Sequence, residues 1–224
     1  MRKREPEEHL EVVRRRILAS AKALFVQQGY KKTTIRQIVE KSGVLTGSIY
    51  YLYKNKADIF QALVLSLLRQ CVDLINERFG NETPAFKYAL MCMIEIKAVE
   101  INELARESYF EGYSSNAIFE KMVGHVTLIT EEMFAGCPGR LSHEAYYART
   151  LLIKGAMRSC VAQFYFDAPL DLPGLCKTLL QTALDLLEVP AEETANVMQR
   201  LQTMDEVLQE MAVCMIRQSG EGIA

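Results

Sequence analysis

Residues 24–60 read LFVQQGYKKTTIRQIVEKSGVLTGSIYYLYKNKADIF, and this stretch decides the architecture. Thr34 and Gln37 stand three apart, the spacing of a capping box, and Ile35, Ile38 and Val39 follow at helical intervals. The pattern predicts a helix of about two turns that ends at Ser42 and Gly43. A third short segment runs from about Leu45 to Tyr51 and turns Ile49 and Leu52 toward the same core. Between the two lies Lys41-Ser42-Gly43-Val44, where glycine tolerates the tight bend and Val44, Ile38 and Ile49 are spaced to clamp the pair. Two short helices joined this way, behind a longer support, have the helix-turn-helix geometry.

Upstream, Ile17, Ala21, Leu24 and Phe25 form one stripe of a first helix from about Glu8 to Gln28, with Gly29 as its stop. Downstream, Asn55 and Asp58 start a long fourth helix, apolar through Leu63, Leu67 and Leu68 to Ile75, which Gly80 ends. On so short a third segment Thr46, Ser48, Tyr50, Tyr51 and Lys54 cannot all be core. Hydroxyls and phenols there suit phosphate oxygens, Gly47 allows close backbone approach, and Leu45 or Thr46 suits a thymine methyl. Lys56 adds a charge at a helix amino terminus, an anion-binding place.

Charge is distributed accordingly. The 224 residues carry a formal charge of −2, yet residues 1–56 hold 13 Lys or Arg against 5 Glu, a net of +8, which leaves −10 for residues 57–224. A basic head on an acidic body is expected when one end faces a polyanion and the rest must not.

With these residues in view, the chain resembles the amino-terminal domain of TetR-family transcriptional repressors. The ordered set Gly29, Tyr30, Thr33, Thr34, Gly43, Gly47, Tyr50, Tyr51 and Lys56 carries the resemblance over about 50 residues. It implies that Thr33, Thr34 and Arg36 touch backbone phosphates, that Leu45 to Tyr51 read the groove of double-stranded DNA, and that Lys56 holds a phosphate. Two departures stand out. Leu45 occupies the position where the family usually has a capping Ser or Thr, and Leu52-Tyr53 replaces the usual His-Phe.

The expected fold is all-α: a helix-turn-helix domain at 1–56 and a helical ligand-binding and dimerisation domain at 57–224. In the second, breaks predict helices of about 85–110, 115–135, 142–166, 172–188 and 191–217. The resemblance implies a homodimer joined through two late helices. Candidates are the stripes Leu151, Leu152, Ala156, Cys160, Phe164 and Leu175, Leu179, Leu180, Ala183, Leu186, Leu187. It also implies a cavity for a small lipophilic effector, for which Met91, Tyr109, Tyr113, Phe119, Met122 and Phe164 are candidate lining. Glu95, set among Met93, Ile94 and Ile96, would make an organic cation a plausible effector if it were buried. Glu100, Glu103, Glu107 and Glu111 read as a solvated face.

Other classes are disfavoured. Every hydrophobic segment is punctuated by charge, so no membrane span is expected, and the charged amino terminus lacks a secretory pattern, which predicts a cytoplasmic protein. The six cysteines form no CxxC pair and are expected as free thiols, with no metal or other cofactor. An enzyme is not expected: His143-Glu144 lacks the second histidine of HExxH, and no phosphate loop or nucleophile signature appears.

Overall fold

A computed structural model describes residues 4–139 and 141–217; the remaining ends of the two expected domains and Arg140 lie outside the described residues. Among the described residues there are eleven α-helices, one 3₁₀ turn and no strand. The head comprises α1 (Arg4–Lys32), α2 (Ile35–Ser42) and α3 (Thr46–Leu52), and α4 (Lys56–Phe79) leads from it into the body. The body follows as α5 (Pro84–Ile101), α6 (Glu103–Ser114), α7 (Asn116–Met133), α8 (His143–Ala162), α9 (Leu172–Leu186), α10 (Ala191–Leu201) and α11 (Asp205–Arg217).

Local chemistry explains most boundaries. Gly29, at φ 81° and ψ 161°, breaks α1 in a region essentially reserved for glycine. The capping box forms as spaced: the Thr34 hydroxyl accepts from Gln37 N, and Thr34 N donates to the Gln37 side chain. Gly43 closes α2 at φ 61°, and Arg16 of α1 donates to the Ser42 carbonyl at 2.8 Å. Asn55 caps α4 by accepting from Asp58 N.

Two expected helices are each two. The run expected at 85–110 divides at Asn102, which leaves helical geometry and caps α6 through Ala105 N at 2.8 Å. That expected at 191–217 divides after Leu201, where Thr203 and Met204 donate to carbonyls three residues back.

The head core is Ile17, Ala21, Leu24, Phe25, Ile38, Val44, Ile49 and Tyr53, completed by Ile59, Phe60 and Leu63 of α4 and Ile118 of α7. It therefore draws on residues beyond Lys56. In the body, α5 is the axis, buried along nearly its whole length and touched by α4 and α6 to α11. The leucine stripe of α9 is used within the chain, since Leu179, Leu180, Ala183 and Leu187 are buried. This corrects the expectation that the stripe faces a partner. On α8, Cys160 is buried as well, whereas Leu151 and Leu152 stay exposed, Leu152 at 60%.

Candidate nucleic-acid interface and ligand cavity

The outward face of α3 collects most of the residues marked for base reading. Ile49 is fully buried and Tyr53 nearly so, which fixes the rotation of the short helix. Leu45 and Tyr51 then project outward, 79% and 77% exposed, with Tyr50 at 52% and Thr46, Gly47 and Lys54 also exposed. Ser48 is half-buried. No side chain caps α3 at Leu45, so its first amides lack a side-chain acceptor. Thr34 and Arg36 lie exposed at the start of α2, with Arg36 paired to Glu40 at 3.0 Å.

Two residues expected at phosphates are committed elsewhere. Thr33 is buried, and its hydroxyl donates to Gly29 O at 2.9 Å while accepting from the Gln28 amide. The Lys56 ammonium donates to Tyr30 O at 2.8 Å and Thr33 O at 2.9 Å, and sits 4.2 Å from the Tyr30 ring centroid. An ammonium has three donors, and the Lys31 carbonyl lies within reach of the third at 3.5 Å. Burial pulls its pKa down from the usual lysine value. Thr33 and Lys56 fasten the turn between α1 and α2.

Behind the head lies a cavity of about 70 Å³, walled by α1, α4, α5, α6, α7 and α11. Its lining is apolar except for a few groups, among them Lys22, Glu95, Ser108, Tyr109 and Tyr113. Glu95 is buried, as the organic-cation reading required, but it already has its cation. Lys154 of α8, fully buried, donates to both carboxylate oxygens at 2.8 and 2.9 Å. The expectation of a cationic effector falls with that pair, because the carboxylate charge is neutralised within the chain.

The acidic series on α5 and α6 is only partly a solvated face. Glu111 is half-buried and pairs with Lys31 at 2.8 Å, and a Cβ on Gly29 would meet the Glu107 carboxylate at 2.8 Å. These residues press α6 against the end of α1.

Comparison with known proteins agrees with this geometry. Residues 17–63 match the family described as bacterial regulatory proteins, tetR family. Over 119 residues the chain is 26% identical to the HTH-type transcriptional regulator YvkB of Bacillus subtilis, covering 53% of this chain and 60% of that protein. It is 31% identical over 111 residues to the HTH-type transcriptional regulator QacR of Staphylococcus aureus, covering 48% and 59%. The chain thus spans less than two thirds of the length of the first curated relatives it matches. Its fold is similar to the crystal structure of RolR in complex with resorcinol, with a TM-score of 0.63 at 16% identity, covering 87% of this chain and 96% of that one.

Residues 17–63 thus carry the amino-terminal domain of the TetR family. In the body, Glu95, Tyr109, Tyr113 and Met122 of the expected lining come together at the cavity. Met91 is buried outside its lining, Phe119 packs at a tilt against Tyr113 with ring centroids 5.9 Å apart, and Phe164 lies 4.3 Å beneath the Arg106 guanidinium. Sequence reasoning missed the contributions of α1, α4 and α11: Lys22, Phe25, Phe60, Leu67 and Met215. A lone lysine at the helical spacing Leu18, Lys22, Phe25, Val26 was the available signal. A wider groove of about 390 Å³ lies between α5, α9, α10 and α11, bordered by Lys97, which pairs with Glu100 and Asp205. Among the described residues no cluster of His, Cys, Asp or Glu is arranged to hold a metal, and no helix is long and apolar enough to cross a membrane.

Proposed function

We propose that this TetR-family regulator is a ligand-responsive repressor that binds a palindromic operator as a homodimer and is released by a small lipophilic effector. The carrying observation is α3, whose buried Ile49 leaves Leu45, Thr46, Gly47, Tyr50 and Tyr51 outward. In this reading residues 1–56 form the reading head and 57–224 the ligand-binding and dimerisation body, with α4 shared. Thr34, Arg36, Ser48 and Lys54 join the outward set at the DNA, while Thr33 and Lys56 hold the turn that presents it.

A palindrome requires two heads about 34 to 36 Å apart, hence a dimer. The exposed Leu151 and Leu152 on α8, with Gly155 one turn on, supply an apolar face for it. The effector enters the cavity behind the head, walled by α1 and α4, and occupancy there shifts the balance between spacings of the two heads. The fold is able to hold a small aromatic, as the resorcinol complex of RolR illustrates. No chemistry is catalysed, and the protein works in the cytoplasm where the chromosome is.

Fluorescence anisotropy with fragments flanking the protein's own gene tests the reading. Retention that falls steeply with log salt is expected for phosphate-dominated binding. Absence of retention on every such fragment in dilute buffer would overturn it.

A further inference from the structure

The cavity carries an uncompensated charge. Glu95 and Lys154 cancel each other, since both carboxylate oxygens accept from the one ammonium. Lys22 remains. It lines the cavity from α1, is 5% exposed, and has one acceptor among the described residues, the Met215 carbonyl of α11 at 2.7 Å. Two of its three donors are unused among the described residues.

Among the described residues the titratable neighbours do not supply an anion. From α11 the Cys214 thiol faces it, while the phenols of Tyr109 and Tyr113 from α6 and Glu95 from α5, with Lys154 of α8 behind it, share the cavity lining. The linings from α4 and α7 are Phe60, Leu63, Val64, Leu67, Leu68 and Met122, all apolar. Burial accordingly lowers the Lys22 pKa to about 8. A second polar atom lies in the same wall, the Tyr113 hydroxyl, buried and without a hydrogen-bond partner.

We propose that the effector of this cavity is an anionic amphiphile, a carboxylate on a small apolar body, and that Lys22 holds its head. This rests on the reading of the cavity as an effector site. The carboxylate accepts from the free donors of Lys22, and the body lies among the phenylalanine, leucine and methionine side chains, with the unpartnered Tyr113 hydroxyl in the same wall. The cavity as found is about 70 Å³, whereas benzene occupies engineered cavities of about 150 Å³. Entry therefore displaces Met122 and Met215, which are flexible, and presses on α1 and α4. A head group drawn to Lys22 also competes for its bond to the end of α11.

The test is calorimetric titration of the full chain with benzoate, benzyl alcohol and benzylamine, which share one body and differ in head charge. Benzoate is expected to bind about tenfold or more tighter than the other two. Its affinity should fall about fivefold or more between about pH 7.5 and pH 9.5 as free Lys22 loses its proton, while that of benzyl alcohol stays level. Lys22→Met should remove the preference for benzoate, and Lys22→Arg should keep it; the wild-type pH profile reads the same contact should a variant not fold.

Equal binding of benzoate and benzyl alcohol, a preference for benzylamine, or no binding of any of the three overturns the proposal. DNA anisotropy, run in parallel, separates the two readings. Benzoate bound through Lys22 with unchanged DNA affinity would uphold the anchor and overturn effector-driven release.

Discussion

Helices α3 and α5 use side chains in opposite ways. Of the seven residues of α3 only Ile49 is buried, and Thr46, Gly47, Tyr50 and Tyr51 are turned outward. Along α5, twelve of eighteen residues are buried, including a carboxylate. The first helix is shaped for a partner outside the molecule and the second for seven neighbours inside it. An outward face tolerates substitution without loss of fold, whereas the axis does not, and three measurements can break or sharpen that contrast.

The largest effect is expected at the buried ion pair. Lys154→Met leaves the Glu95 carboxylate uncompensated among apolar side chains, and the loss of unfolding free energy should be about 3 to 5 kcal/mol in denaturant melts. Replacing both partners by methionine removes the charge together with its cost, so the double variant should recover most of the loss. A single variant no less stable than the double one would show that water reaches Glu95 and that α5 is not the dry axis described here.

This contrast also governs what the sequence discloses. The capping box of Thr34 and Gln37 and the left-handed Gly43 arise from contacts within a few residues, and the burial of Ile49 follows from apolar spacing on adjoining short helices, so all three are visible in the chain. The cavity arises from six helices, and its lining residues from α1 and α11 are separated by nearly the whole sequence. Tyr109, Tyr113 and Met122 could be anticipated from the composition of the central helices. Lys22 could not be placed, because its role depends on the end of α11 arriving at its side. Likewise nothing local distinguishes a Lys56 that grips phosphate from one that grips the Tyr30 and Thr33 carbonyls. The single helix expected at 85–110 failed at Asn102, a capping residue hidden in an otherwise helical run.

A second measurement follows the buried Lys22. Its pKa is about 8 in the folded chain and near 10.5 once unfolded. Below pH 8 both states are protonated and the buried charge costs its full amount. Between those values the unfolded state binds more protons, so this group makes stability rise with pH, by about 1.4 kcal/mol per unit and up to about 3 kcal/mol in all. Buried Cys92 and Cys176, both pushed up to about 12 by desolvation, act in the opposite direction over much of the same range. The informative quantity is therefore the stability of wild type relative to Lys22→Met, which should rise from pH 8 to pH 10.5. A difference that stays constant over that range would mean that Lys22 is hydrated.

The smallest effect separates two kinds of residue within the head. Tyr51 is exposed and unpartnered in the described contacts, so Tyr51→Ala should leave the melting midpoint unchanged while weakening operator binding by about 1 kcal/mol. Lys56→Met removes the donors that fasten the turn and the cation over the Tyr30 ring, and should cost about 1 to 2 kcal/mol of stability. Its effect on DNA then arises through a loosened head, so the salt slope of binding should keep its wild-type value, whereas loss of a phosphate contact would reduce the slope by about one. A stable Lys56→Met protein with a reduced slope would return Lys56 to the DNA and make the turn self-supporting.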